Sequence, residues 1–309
     1  MNFTGIDAIV YGVEDLATCQ RFLDDWGVTP TDRAPADGLA YETLDGSEII
    51  VRPAGAVDLP PAFEAGSTLR RVIWGVPDQR ALDAVRKAIA GQPGFAEEDG
   101  LPSVTDPNGM RLSFRVSRRR PVAVKGSPLN TYDRHDRVDE RTPVYERAHP
   151  IRIGHVVFFT ADIMETLAFY EGVLGFRVSD SYPRAGYFLR CKPEGGHHDL
   201  FLLQTPDAKR GLNHVAFTVR DIHEIFGGGI YVNQRGWQTQ IGPGRHPISS
   251  AYFWYVHNPC GGLAEYYSNE DYCTENWQAK EWPRSAENFA EWAISGGIDA
   301  KTRRQPDRR

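Results

Sequence analysis

Residues 153–176 read IGHVVFFTADIMETLAFYEGVLGF, and residues 6–28 read IDAIVYGVEDLATCQRFLDDWGV. Each opens with a β-branched and aromatic stretch of strand length, then meets an Asp able to cap a helix N-terminus. Each continues with apolar residues at 3,4 spacing (Leu16, Cys19, Phe22, Leu23; Ile163, Leu167, Phe169, Tyr170) and closes on Gly. The same opening recurs as LRRVIWGVPDQ from Leu69 and LNHVAFTVRDI from Leu212. A strand-then-helix unit met at four places marks an internally duplicated fold.

The strands that follow repeat as well, since DPNGMRLSF from Asp106 mirrors NPCGGLAEYY from Asn258, a Pro and Gly turn feeding a final strand. The expected fold is therefore α+β, with four βαβββ modules paired into two halves whose mixed sheets curl into cups. The halves are expected at residues 1–118 and 151–268. Between them, residues 119–150 are polar, charged and without periodicity, which predicts a wrapped connection. The tail, residues 269–309, carries Trp277, Trp282, Phe289 and Trp292 before the polar KTRRQPDRR. Its aromatic part is expected to dock as a helix, serving as packing, dimer contact or lid, and its last residues to fray.

Composition narrows the partners. A chain of 309 residues, 41% hydrophobic and 25% charged, is that of an ordinary globular protein. Its net charge of -6 offers no attraction to nucleic acid or anionic lipid, so a small-molecule substrate is expected and neither of those partners. Cys19, Cys191, Cys260 and Cys273 are scattered without a CxxC pair, which fits a reducing compartment. No apolar run of about 18 residues and no basic leader is present, so a cytoplasmic location is expected.

Placing the halves in register, Gly27 over Gly175 and Pro107 over Pro259, exposes an asymmetry. His155, His214 and Glu265 occupy strand positions in the C-terminal half where the N-terminal half has Asp7, Arg71 and Ser113. Two imidazoles and one carboxylate that leave coordination positions open form the facial set suited to Fe(II). Alternation puts His155 with Val157, His214 with Ala216, and Glu265 with Leu263 and Tyr267 on single strand faces. Only the C-terminal half is expected to bind metal. Nearby, His198, His246 and Tyr255 have the chemistry to move protons. Residue type alone also fits exposed loop histidines and a core aromatic. His135, His149 and His223 are expected to be solvated; His197 and His257 are left as minor pocket candidates.

On GHVVFFTADIMETLAFYEGVLGF, GGHHDLFL, GLNHVAFTVRDI and GPGRHPISSAYFWYVHNPCGGLAEYY, the C-terminal half resembles the type I extradiol ring-cleavage dioxygenases of the vicinal oxygen chelate (glyoxalase/bleomycin-resistance) superfamily. That group includes 2,3-dihydroxybiphenyl and catechol 2,3-dioxygenases. The resemblance implies paired vicinal-oxygen-chelate domains and a mononuclear Fe(II), less often Mn(II), on His155, His214 and Glu265. It also implies that His198 is an acid-base catalyst and that His246 and Tyr255 contact substrate hydroxyls. The reaction implied is insertion of both atoms of O2 into a small aromatic diol or triol; separately, open sheets and the aromatic tail favour a homo-oligomer. The tail and FLDDWGV are similar to the branch acting on trihydroxytoluene and related polyhydroxylated aromatics. The competing classes are a metal-dependent glyoxalase-like isomerase or epimerase, which usually needs a second carboxylate where Ser113 stands, and a metal-free binding module.

Overall fold

A computed structural model describes residues 1–298. Four times a long strand is followed by a helix and shorter strands. The long strands are Gly5–Val13, Thr68–Val76, Arg152–Phe159 and Gly211–Thr218, and the helices are Leu16–Trp26, Gln79–Ile89, Ile163–Gly172 and Ile222–Gln234. Asp15, Asp78, Asp162 and Asp221 each accept a backbone N–H from the first turn of the helix that follows, satisfying donors the helix cannot pair itself.

The strands assemble into an eight-stranded sheet from the N-terminal half and a ten-stranded sheet from the C-terminal half. Each is centred on an antiparallel pair of module-opening strands, Gly5–Val13 with Thr68–Val76 and Arg152–Phe159 with Gly211–Thr218. Each opening strand then pairs in parallel with the last strand of its module: Glu48–Pro53, Arg111–Val116, Leu200–Leu203 and Leu263–Ser268. Every residue of Gly5–Val13 and Thr68–Val76 is buried, because helices cover one face and polar side chains fill the other.

Strand pairing corrects one equivalence. Ala8 pairs with Ile73, which pairs with Ser113, as His155 pairs with Ala216, which pairs with Glu265. Ala8, not Asp7, therefore holds the position of His155. The caps agree, since Asp15 to Gly27 is one residue shorter than Asp162 to Gly175. Counting back from the glycine carries that difference into the strand. Arg71 and Ser113 stand opposite His214 and Glu265 as expected.

One apolar core runs through both halves. Trp26 stacks on Tyr266 with ring centroids 3.7 Å apart, and the Tyr266 hydroxyl donates to the Trp26 carbonyl at 2.6 Å. Gly27 has φ +90°, and a Cβ there would lie 2.1 Å from the Ala148 carbonyl oxygen, so glycine lets the connecting segment cross at van der Waals contact. That segment has no helix or named strand of its own, only an isolated Asn130–His135 bridge.

The tail departs from expectation. Among its described residues only Ala286–Phe289 is helical, whereas Tyr272–Cys273, Lys280–Glu281 and Trp292–Ser295 are strands. Lys280–Glu281 runs parallel to Arg177–Tyr182, and Trp292–Ser295 antiparallel to Thr239–Arg245. The tail thus covers both edges of the ten-stranded sheet, whose unpaired backbone groups attract an extended chain more strongly than the Trp spacing favours a helix. The fraying expected of the final residues concerns 299–309, outside the described residues. No helix among the described residues is long and apolar enough to cross a membrane.

Candidate metal centre and substrate cup

Three adjacent central strands of the larger sheet, Arg152–Phe159, Gly211–Thr218 and Leu263–Ser268, position the metal-ligand candidates. Ala216 pairs with His155 on one side and Glu265 on the other, placing those two side chains in one row across the sheet. His214, two residues before Ala216, shares its face. The small Ala216 side chain leaves room between them.

His155, His214 and Glu265 are 3%, 7% and 1% exposed, and each offers a ligand atom within 4.8 Å of the other two. Glu265 Oε2 lies 3.2 Å from His155 Nε2 and 3.1 Å from His214 Nε2, yet in hydrogen-bonding geometry with neither. A buried carboxylate oxygen without a partner is costly. Three donor atoms aimed at one point, with that oxygen orphaned, fit a divalent cation. Among the described residues this is the one such cluster.

Charge supports the same reading. Burial works to raise the Glu265 carboxyl pKa, but the close imidazoles of His155, His214 and His246 outweigh it and hold the group well below its ordinary range. Burial lowers the pKa of His155, keeping the imidazole neutral and its lone pair available. His214 Nδ1 is 2.7 Å from Asn213 Oδ1, so it donates there and leaves Nε2 free to ligate. Asn213 went unnoticed in the sequence; its only signal is its place beside His214.

The second group of candidates converges on the same place. All six predicted site residues line one cavity of about 570 Å³. The His198 ring lies 4.1 Å from that of His155, and burial lowers the His198 pKa well below its ordinary value. His246 Nδ1 is 2.6 Å from the Phe289 carbonyl oxygen and Nε2 is 3.1 Å from the Tyr255 hydroxyl. The tail carbonyl therefore accepts from the His246 Nδ1–H and leaves Nε2 to accept from Tyr255. Burial, reinforced by Glu265, raises the Tyr255 phenol well above its usual pKa. The remaining walls are largely apolar, from Phe188, Phe201, Leu203 and Ile248, and the tail closes one side with Ala286 and Phe289.

Other residues separate from the site. His135, His149 and His257 are exposed, so the strand face that His257 shares with Tyr255 brings it no pocket role. His223 is half-buried with Nε2 enclosed and unpartnered, in contrast to the solvated side chain expected. His197 does not line the cavity; it is wholly buried behind His198. Tyr267 also contacts the site, its ring 4.9 Å from that of His155. Gly154 permits this, because a Cβ there would lie 2.1 Å from the Tyr267 hydroxyl.

In the N-terminal half the same face is crossed by ion pairs. Arg71 pairs with Glu98 at 2.8 Å and Asp99 at 3.2 Å, and Arg111 pairs with Glu98. Arg115 bridges Asp7 and Glu48, and Ser113 hydrogen-bonds to Ser103.

Residues 152–266 match the Glyoxalase/Bleomycin resistance protein/Dioxygenase superfamily, and the C-terminal half carries a domain of it. The chain is 28% identical to metapyrocatechase 2 of Cupriavidus necator over 90% of its length and 84% of the relative's. It is 26% identical to a manganese-dependent 2,3-dihydroxybiphenyl 1,2-dioxygenase of Geobacillus genomosp. 3, over 84% of this chain and 78% of that one. The Mn(II)-bound glyoxalase structure from Novosphingobium aromaticivorans has the same fold, with a TM-score of 0.74 at 22% identity, covering 99% of this chain and 95% of that one.

Proposed function

From a superfamily domain whose cup is lined by the His155, His214 and Glu265 cluster, we propose that this protein is an extradiol ring-cleaving dioxygenase of catechol-type aromatics. The observation that carries the reading is the junction of that cluster with His198, His246 and Tyr255 in one largely apolar cavity. In our reading the native metal is Fe(II), held by His155, His214 and Glu265, because two imidazoles and a carboxylate with open positions suit it. When bound, the metal supplies Lewis acidity and a place where substrate oxygens and O2 meet. The names of the two sequence relatives, a metapyrocatechase and a dihydroxybiphenyl dioxygenase, support the substrate class.

The chain's own residues account for the rest. Tyr255 donates to His246 Nε2, which leaves the phenolic oxygen able to accept from a substrate hydroxyl. His198, kept neutral by burial, takes a proton from the second hydroxyl and returns it to the opening ring. Phe188, Phe201 and Ile248 exclude water and pack the aromatic face. Both oxygen atoms enter the product and the ring supplies the electrons, so no external reductant is required.

A glyoxalase-like isomerase would need a second free carboxylate in the cup. Glu270 lines the cavity, but it accepts from the Tyr267 hydroxyl at 3.2 Å and from the His197 backbone N–H at 2.9 Å, and Arg152 lies 3.5 Å away. Engaged in this way, it favours the dioxygenase. The four buried free cysteines support a reducing compartment, and the exposed Tyr272 and Trp292 support self-association. The test is oxygen uptake by anaerobically prepared protein loaded with Fe(II) or Mn(II), against catechol, dihydroxybiphenyl and trihydroxytoluene. Uptake matched by a yellow ring-fission product supports the reading, and the more active metal identifies the cofactor. Metal binding without uptake on any polyphenol overturns it.

A further inference from the structure

Behind His198 lies a buried chain of polar groups that the reading above leaves unused. His197 is wholly buried, with Nδ1 3.2 Å from His198 Nδ1 and Nε2 3.2 Å from Asp180 Oδ2. Asp180 is 3% exposed, and its other oxygen accepts the Lys280 backbone N–H at 2.7 Å. The His197 backbone N–H is held by Glu270. The Trp277 ring stands 5.9 Å from that of His197, with its indole N–H donating to the Ser179 carbonyl at 2.8 Å. Phe188 meets both imidazoles edge-on. Chain separation hides the assembly: Asp180 lies in the strand Arg177–Tyr182, His197 precedes the strand Leu200–Leu203, and Lys280 belongs to the tail.

Hydrogen-bond accounting fixes the protons. A carboxylate only accepts, so the proton between Asp180 and His197 belongs to His197 Nε2. In the neutral His197 imidazole that is the ring's single N–H. Its Nδ1 therefore carries a lone pair, and the proton between the two rings belongs to His198 Nδ1. His198 Nε2 is then left as a lone pair, with no protein partner among the described residues, on a side chain that lines the cavity.

We propose that Asp180 and His197 are positioning residues that lock His198 in its Nδ1–H tautomer, presenting Nε2 as the proton acceptor to the substrate. The tail seals this relay through Lys280 and Trp277. The proton that arrives at Nε2 comes from a substrate hydroxyl and leaves to the product, while the relay protons stay on His198 Nδ1 and His197 Nε2. The catalytic consequence rests on the dioxygenase reading; the tautomer does not.

Imidazole 15N NMR of the Zn(II)-loaded protein reads the tautomer directly, with His198 identified by its loss in His198→Gln. The wild type should show His198 protonated at Nδ1. Asp180→Asn should give a mixture of tautomers and lower kcat by about 10–100-fold, with KM changed by less than about threefold. His197→Gln can donate to Asp180 and accept from His198, so it should retain the Nδ1–H tautomer and more than about a tenth of kcat. His197→Phe should retain neither. An Nε2–H tautomer in the wild type, or no change of tautomer in the folded Asp180→Asn and His197→Phe proteins, overturns the proposal. The expected tautomers without oxygen uptake on any polyphenol would instead leave the relay standing and remove the dioxygenase.

Discussion

The two halves share strand order and helix caps but fill their cups differently. In the N-terminal cup, Arg71, Arg111 and Arg115 reach across the sheet to Glu98, Glu48 and Asp7, and each charge is spent on another protein charge. In the C-terminal cup the positions of those three arginines hold the less extended His214, Leu263 and Tyr267, and the donor atoms of His155, His214 and Glu265 converge beside a cavity of about 570 Å³. Long guanidinium groups that satisfy themselves close one cup. Short groups that leave a carboxylate oxygen orphaned keep the other open. The same backbone thus supports a structural and a chemical cup, and function follows the side chains of the concave face.

The sharpest way to break the comparison is to remove the convergent charge from the open cup. Glu265→Gln should lower bound metal to well under one per chain and cut ring cleavage by about 10³-fold or more, read by elemental analysis and oxygen uptake. The closed cup should respond in stability instead. Arg115→Met removes the guanidinium that bridges the buried Asp7 and Glu48, leaving Ser117 to the one and Arg33 to the other, and should destabilise the chain by up to about 3–5 kcal/mol in urea, with metal stoichiometry unchanged in the folded protein. Tyr255→Phe removes one hydroxyl from the open cup and should lower kcat about 10–100-fold while metal content stays at wild-type level.

The smallest effect concerns the turns that close each half. Asp106 in DPNG accepts from the Tyr170 hydroxyl of the other half at 2.8 Å, whereas the equivalent Asn258 donates to Tyr11. Burial raises the Asp106 pKa to about 6. A folded-state pKa above the unfolded one means that stability is fully present below about pH 4 and is lost as pH rises through about 6. This contribution is about 1–3 kcal/mol. Asp106→Asn makes the two turns alike and should flatten that part of the profile of Tm against pH between about 4 and 6. An unchanged profile would show that Asp106 ionises normally.

Much of this was legible because the repeat is written in local chemistry. The Asp caps, the αL glycines and the apolar strands are decided within a few residues of chain, and His155, His214 and Glu265 stand out once the halves are superposed. The off-by-one at Asp7 arose where locality fails, since the extra residue between Asp162 and Gly175 is absorbed at the end of a helix, where sequence carries little register information. The tail was misjudged for a similar reason. Trp277, Trp282 and Trp292 say that the segment packs, but only the vacant edges of a distant sheet decide that it packs as strands. Asp180 and Asn213 were invisible because a hydrogen bond to an imidazole leaves no spacing pattern.

The most direct test is oxygen uptake by the Fe(II)-loaded wild type and Glu265→Gln proteins, measured side by side on catechol and dihydroxybiphenyl with metal content determined on the same samples. The prediction is stoichiometric uptake and a ring-fission product from the wild type, with metal and turnover lost together in the variant. Full metal loading of the wild type without oxygen uptake, or turnover that survives in a metal-depleted Glu265→Gln protein, would contradict it.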